Sequence, residues 1–330
     1  MKKTAGVPEN MFTVAPGVWG RKDVFVNFFM IQSLTDETWI LVDAGLKWSA
    51  SKIKEMAAYL FGADSKPGAI VLTHGHFDHV GSVEKIADEW GVSVYAHHLE
   101  IPYLTGQSNY PPPDPTVGGG LMATMAFLYP KSPINIWSHI KVLASDGRIP
   151  ALPEWKYIHT PGHAPGHISL FRESDSVLIA GDAFVTTQQE SAMAVLMQTK
   201  IVSGPPKYFT CDWQAAEKSV RELVSLHPKT AATGHGKPVR GRELQQSLYT
   251  LESQFHEKSI PSKGRYVPHP AITNANGVVY IPPKKRTINE TAWEVFGSTA
   301  IVVFALLYTA NQKKKRRVAN ENLLDIEYNF

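Results

Sequence analysis

The chain has 330 residues, 43% hydrophobic and 19% charged, which suits one large domain with a buried core, or a domain plus an appendage, and excludes wholesale disorder and a multi-pass membrane protein. The formal net charge is +3, five positive charges lie together at Lys313 to Arg317, and the remainder sums to −2, so the main body makes no case for a nucleic-acid partner. A single cysteine, Cys211, excludes an intrachain disulfide, and nothing points to an oxidising compartment.

In chain order, Met1 to Asn10 carries two lysines but lacks the apolar stretch of a signal peptide, and reads as a surface tail. Val24 to Ile31 and Trp39 to Val42 predict strands, the second closing on Asp43. Ser51 to Phe61 has helical spacing, with Ile53, Met56, Ala57 and Leu60 on one face. Ala69 to Leu72 is a short apolar strand, Val83 to Trp90 a helix ended by Gly91, and Val92 to Tyr95 a further strand. Asn109 to Pro133, with three prolines and three glycines in runs, breaks the rhythm; its apolar half, Leu121 to Tyr129, predicts a pocket wall or lid. Strand signals resume at Trp155 to His159, Ile168 to Phe171, Val177 to Ala180 and Thr230 to Ala232. Between them Asp212 to Leu226 is an amphipathic helix with Asp212 as its N-cap. Strands interleaved with helices predict an α/β layered fold.

The chemistry concentrates after the strand Ala69 to Leu72, in Thr73-His74-Gly75-His76-Phe77-Asp78-His79. Imidazole nitrogens and carboxylate oxygens are ligands for zinc and similar ions. Alternating residues on an extended segment share a side, so His74, His76 and Asp78 can converge, with Gly75 allowing a tight turn. Three later strands also run into Gly-containing turns that carry such ligands, at His163, Asp182 and His235.

Thr73 to Gly81, Thr160-Pro161-Gly162-His163-Ala164-Pro165-Gly166-His167, Ala180-Gly181-Asp182-Ala183 and Gly234-His235-Gly236, in that order, resemble the motifs of the metallo-β-lactamase-fold hydrolases. The resemblance covers roughly residues 12 to 265. It implies a four-layer αβ/βα sandwich and two divalent metal ions, zinc first, with iron or manganese as alternatives. His74, His76 and His163 would hold one ion, and Asp78, His79 and His235 the other. Asp182 would bridge them, a hydroxide between the ions would attack, and Asp78 would also serve catalysis by protonating the leaving group. His167, His97 and His98 read as structural, Asp43 as a loop brace, and Cys211 as a non-ligand.

Substrate choice lies in the pocket. Its candidate lining is apolar, Leu121, Met122, Met125, Phe127, Leu128, Phe184, Met193 and Met197, and predicts a small substrate with an ester-, lactone-, thioester- or amide-type bond beside an apolar part. Glyoxalase-II-type thioesterases add a helical, basic C-terminal domain that this tail does not resemble. Ala183 to Thr187 lacks the tyrosine that often follows the bridging aspartate in quorum-signal lactonases. The same ligand set also occurs in one-iron sulfur dioxygenases, and a non-catalytic metal-binding module is a third reading.

Trp293 to Ala310 is almost wholly apolar and is followed by the basic run, so it is a candidate membrane span or docked helix. The expected organisation is a catalytic domain over 1–265, a linker over 266–290, and an apolar helix with a basic tail over 291–330. The catalytic domain is expected in the cytoplasm, with membrane association through 293–310.

Overall fold

The computed structural model describes residues 7–284. The expected apolar helix and basic tail of 291–330 lie outside the described residues. Among those described, no helix is long and apolar enough to cross a membrane.

The first sheet has seven strands in sequence order. β1 (Met11–Ala15), β2 (Val18–Asp23), β3 (Val26–Gln32) and β4 (Trp39–Val42) are mutually antiparallel. Helix α1 (Ala50–Phe61) leads to β5 (Ala69–Val71). Helices α2 (Phe77–Val80) and α3 (Val83–Trp90) lead to β6 (Val94–Ala96). The short helices α4 (Ile101–Leu104) and α5 (Leu121–Thr124) precede β7 (Ile140–Val142). From β4 onward neighbouring strands are parallel.

The second sheet contains β8 (Trp155–His159), β9 (Ile168–Arg172) and β10 (Val177–Ile179). After α6 (Ala192–Met197) and α7 (Trp213–Ser225) come β11 (Thr230–Ala232) and β12 (Val239–Arg240). Its order is β12-β11-β10-β9-β8, parallel only between β10 and β11. Helices α8 (Gly241–Ser253) and α9 (Phe255–Lys258) and a hairpin, β13 (Ile272–Asn274) with β14 (Gly277–Tyr280), follow.

Strand alternation builds the layers. Phe29, Ile31, Ile40 and Val42 point inward and pack with Trp155, Ile168, Leu170 and Ile179 between the two sheets. Their neighbours Phe28, Met30, Trp39 and Leu41 point the other way, onto Ile53 and Met56 of α1 and Val83 and Ile86 of α3. On the far face of the second sheet Phe171, Leu178 and Ala231 pack against Trp213, Val220 and Leu223 of α7 and Leu244 and Leu248 of α8. The result is the four-layer αβ/βα sandwich. Asp212 does cap α7, its Oδ1 accepting the Ala215 N–H at 3.0 Å.

Three local readings change. The expected strand 24–31 begins later, because Val24 takes a positive φ of 56° in the turn between β2 and β3. Asp78 lies on the helical turn α2 and not on an extended segment, so only His74 and His76 follow the alternation rule. The segment expected to be a linker from 266 onward starts with packed residues: Tyr266 and Ala271 are buried against the α7–α8 layer, and β13 pairs with β14, whose Val278 packs against Tyr103 and Tyr110.

Candidate metal centre

Four ligand candidates stand just past the end of a strand, and His76, Asp78 and His79 follow His74 into α2. His74 follows β5, His163 follows β8, Asp182 follows β10 and His235 follows β11. The sheets are joined at this floor by the Ile168 N–H, which donates to the Thr73 carbonyl, and the Asn27 N–H, which donates to that of Gly234. The Asn27 side-chain amide adds bonds to the Thr233 and Gly236 carbonyls. Four loops from two sheets thus meet at one end of the sandwich.

All seven candidates come together there. His74, His76 and His163 form one group whose potential ligand atoms lie within 4.8 Å of one another; His74, His79 and Asp182 form a second; Asp78, His79 and His235 form a third. Asp182 Oδ2 lies 3.1 Å from His235 Nε2, 3.5 Å from His163 Nε2 and 3.7 Å from His79 Nε2, a central position. His235 Nε2 is also 3.6 Å from Asp78 Oδ2.

The outer nitrogens of three histidines are tied down. His79 Nδ1 is 2.8 Å from Asp43 Oδ2, and His235 Nδ1 is 2.7 Å from the Phe25 carbonyl. His74 Nδ1 meets the Thr73 hydroxyl at 3.0 Å, which itself donates to Asp43 Oδ2. Those acceptors favour a proton on Nδ1 and leave the Nε2 lone pair facing inward, the arrangement that orients metal-ligating histidines. His74 Nε2, His79 Nε2, His163 Nδ1 and Asp182 Oδ1 are buried without a protein hydrogen-bond partner. Orphaned polar atoms are costly in an interior, so three in one cluster, His74 Nε2, His79 Nε2 and Asp182 Oδ1, fit a cation as the missing partner.

Electrostatics agree. Burial pushes His74 and His76 well below the ordinary histidine range, and His163 down to about 4. Burial opposes a charge on His79 as well, but Asp182, Asp43 and Asp78 around it hold its pKa well above the usual value. Burial works to raise Asp182, yet His235 and His79 keep its carboxyl well below the carboxylate range. Asp78 is pushed up by burial. Burial works against a charge on His235 too, yet Asp182 and Asp78 raise its pKa, so the buried carboxylates favour positive charge at the centre of the cluster.

Residues 21–235 match the metallo-β-lactamase superfamily. The chain belongs to that superfamily. It is 43% identical over 245 residues to the probable metallo-hydrolase YflN of Bacillus subtilis, covering 74% of this chain and 93% of that protein. A second Bacillus subtilis relative, the probable metallo-hydrolase YybB, is 27% identical over 212 residues, covering 64% of this chain and 81% of the relative. Among solved structures, a B3 metallo-β-lactamase with an active-site glutamic acid superposes with a TM-score of 0.51 at 14% identity, over 76% of this chain and 91% of that one, a likeness of fold. As a member of the metallo-β-lactamase superfamily the chain is a hydrolase.

Residues outside the ligand groups surround the centre. His167 does not join the ligand groups; its Nε2 accepts the Asp182 N–H at 2.8 Å and its Nδ1 meets Thr160 Oγ1 at 2.8 Å, a structural role. Asp43 braces its loop as expected, and it also orients His79 and, through Thr73, His74. Phe209 stacks on His76 with centroids 4.4 Å apart, and Phe25 stacks on His235. Cys211 is buried, its thiol pushed up to about 12 by burial, and belongs to none of the ligand groups.

The apolar wall is partly redrawn. Met122, Ala123 and Ala126 of the insert pack with Tyr208 and Phe209, and Phe25, Phe77 and Tyr129 join them beside the centre. Phe184 is fully buried in the layer behind the second sheet, because its place after β10 turns it toward α7 and α8. Phe127, Leu128, Met193 and Met197 are exposed at the surface.

Proposed function

We propose that this hydrolase cleaves an ester-, lactone-, thioester- or amide-type bond of a small, partly apolar substrate with two divalent cations, zinc first and iron or manganese as alternatives. His74, His76 and His163 hold one cation, Asp78, His79 and His235 the other, and Asp182 serves both. The observation that carries this reading is the set of three orphaned buried atoms, His74 Nε2, His79 Nε2 and Asp182 Oδ1, within the cluster. When bound, the cations supply hydroxide at neutral pH and polarise the electrophile.

The chain's own residues do the rest. Asp43 and the Phe25 carbonyl aim His79 and His235. Asp78 also serves to hand a proton to the leaving group. Phe25, Phe77, Tyr129 and Phe209 line one side and exclude water from the apolar part of the substrate. The name of the 43% identical relative, a probable metallo-hydrolase, supports the reaction class.

Metal analysis coupled to a panel of lactones, thioesters, β-lactams and phosphodiesters tests the proposal. Two cations per chain are expected, with activity lost to a chelator and restored by zinc. One iron per chain with oxygen uptake overturns it in favour of a sulfur dioxygenase. His76→Ala leaving metal content and activity unchanged overturns it in favour of a non-catalytic module. Membrane association through 293–310 is a separate proposal, tested by fractionating the full chain beside a truncation at Pro282; a full chain that stays in solution without detergent ends it.

A further inference from the structure

Glu100 is fully buried at the turn into α4 and belongs to none of the three ligand groups. Its Oε1 accepts the Gly166 N–H at 2.7 Å. Its Oε2 accepts the Gly75 N–H at 2.9 Å and the Tyr110 hydroxyl, whose oxygen lies 2.9 Å from that same N–H. Gly75 separates His74 from His76. Gly166 stands between His163 and His167, the residue that holds the Asp182 N–H. One loop leaves the first sheet and the other leaves the second, so a single carboxylate joins the ligand loops of both.

The two glycines are part of the same device. A Cβ on Gly75 would sit 2.5 Å from the Tyr110 oxygen, and one on Gly166 would sit 2.8 Å from Glu100 Cγ. Gly75 does not have a positive φ, so close approach of the Glu100–Tyr110 pair, and not a tight turn, explains the glycine there. Hydrogen bonds to an ionised acceptor are the stronger kind, and a carboxylate can serve three donors at once.

We propose that Glu100 is the positioning residue for the cation held by His74, His76 and His163. It acts through the backbone of Gly75 and Gly166, and its carboxylate hydrogen bonds go to those two N–H groups and the Tyr110 hydroxyl. Asp43 differs, since it reaches His79 directly and His74 through Thr73, and so bears on both cations. The inference rests on the metal reading proposed above.

Glu100→Gln keeps the size but turns an NH2 group toward one of the donors. The experiment titrates metal-free wild type and Glu100→Gln with cadmium, followed by cadmium NMR. Labelled histidine assigns each signal by coupling to three imidazoles (His74, His76, His163) or two (His79, His235). Zinc affinities come from competition with a chromophoric chelator. The expected result is a loss of roughly 10- to 100-fold at the three-imidazole site, the usual cost of removing an outer partner of a ligand, with the two-imidazole site unchanged.

Equal weakening of both sites is what a merely structural role would give, and it overturns the inference; so does no weakening. If Glu100→Gln does not fold, Tyr110→Phe decides, because it keeps the carboxylate and both N–H contacts. A smaller loss confined to the three-imidazole site supports the proposal, and unchanged or evenly weakened sites overturn it. Wild type that binds no cation overturns the metal reading itself, and this inference with it.

Discussion

Asp43 Oδ2 lies 2.8 Å from His79 Nδ1 and accepts the Thr73 hydroxyl at the same distance, while Oδ1 takes the Thr73 N–H at 2.7 Å. Asp43 adopts a positive φ of 60°, a conformation that non-glycine residues seldom hold. One side chain at the end of β4 thereby sets the rotation of two imidazoles on the loop after β5.

Asp43→Asn replaces one acceptor oxygen by a donor. The expected outcome is a fall in zinc affinity at both sites and in kcat/KM, on the order of 10- to 100-fold. Chelator competition and steady-state kinetics measure it. Wild-type values in both would show that the imidazoles keep their orientation without Asp43.

Phe209 and Phe184 separate site from core. Phe184→Ala empties a fully buried position behind the second sheet, and about 3–5 kcal/mol of stability is expected to go, with KM unchanged in the folded fraction. Phe209→Ala removes the ring over His76 and is expected to raise KM for apolar substrates roughly 10-fold or more, the worth of one lost apolar side-chain contact. Denaturant melts and kinetics on both variants check this. A KM effect from Phe184→Ala with none from Phe209→Ala would reverse the assignment of the pocket wall.

His97 stacks on His159 at 4.0 Å, and burial, with His159 and His98 nearby, lowers its pKa from about 6.5 to about 3. Between those values the unfolded chain binds a proton that the folded chain refuses. The stabilisation is complete above about pH 6.5 and is lost as pH falls toward about 3. His97→Gln is therefore expected to lose less stability than wild type between pH 7 and pH 5. Comparing the two chains cancels the effect of acid on the shared metal cluster. Parallel urea midpoints at both pH values would remove His97 as the source.

The histidine motif, the three later strand ends and the helices α1, α3 and α7 were readable because they rest on local rules, whereas α8 was not read. A ligand after an apolar strand and a glycine marks a sheet edge, and helical or alternating apolar spacing marks an element. The same strand-end rule would have drawn attention to Glu100, a carboxylate soon after β6, had it been applied to residues outside the recognised motifs.

What the amino-acid order determined by itself was therefore the superfamily, the αβ/βα layering and the seven candidate ligands. Tertiary structure alone decided their second partners and the pocket wall. Asp43 meets His79 across 36 positions, Glu100 meets Gly166 across 66, and the Phe25 carbonyl meets His235 across 210. No local pattern encodes such pairs: the first arises when β4 and β5 lie side by side in one sheet, and the other two only when the two sheets pack face to face and bring their loops to one end. Phe184 and Phe209 make the same point: both are apolar residues after a strand or loop, and only the packing of α7 and α8 on one side and of the insert on the other sends the first into the core and the second over His76.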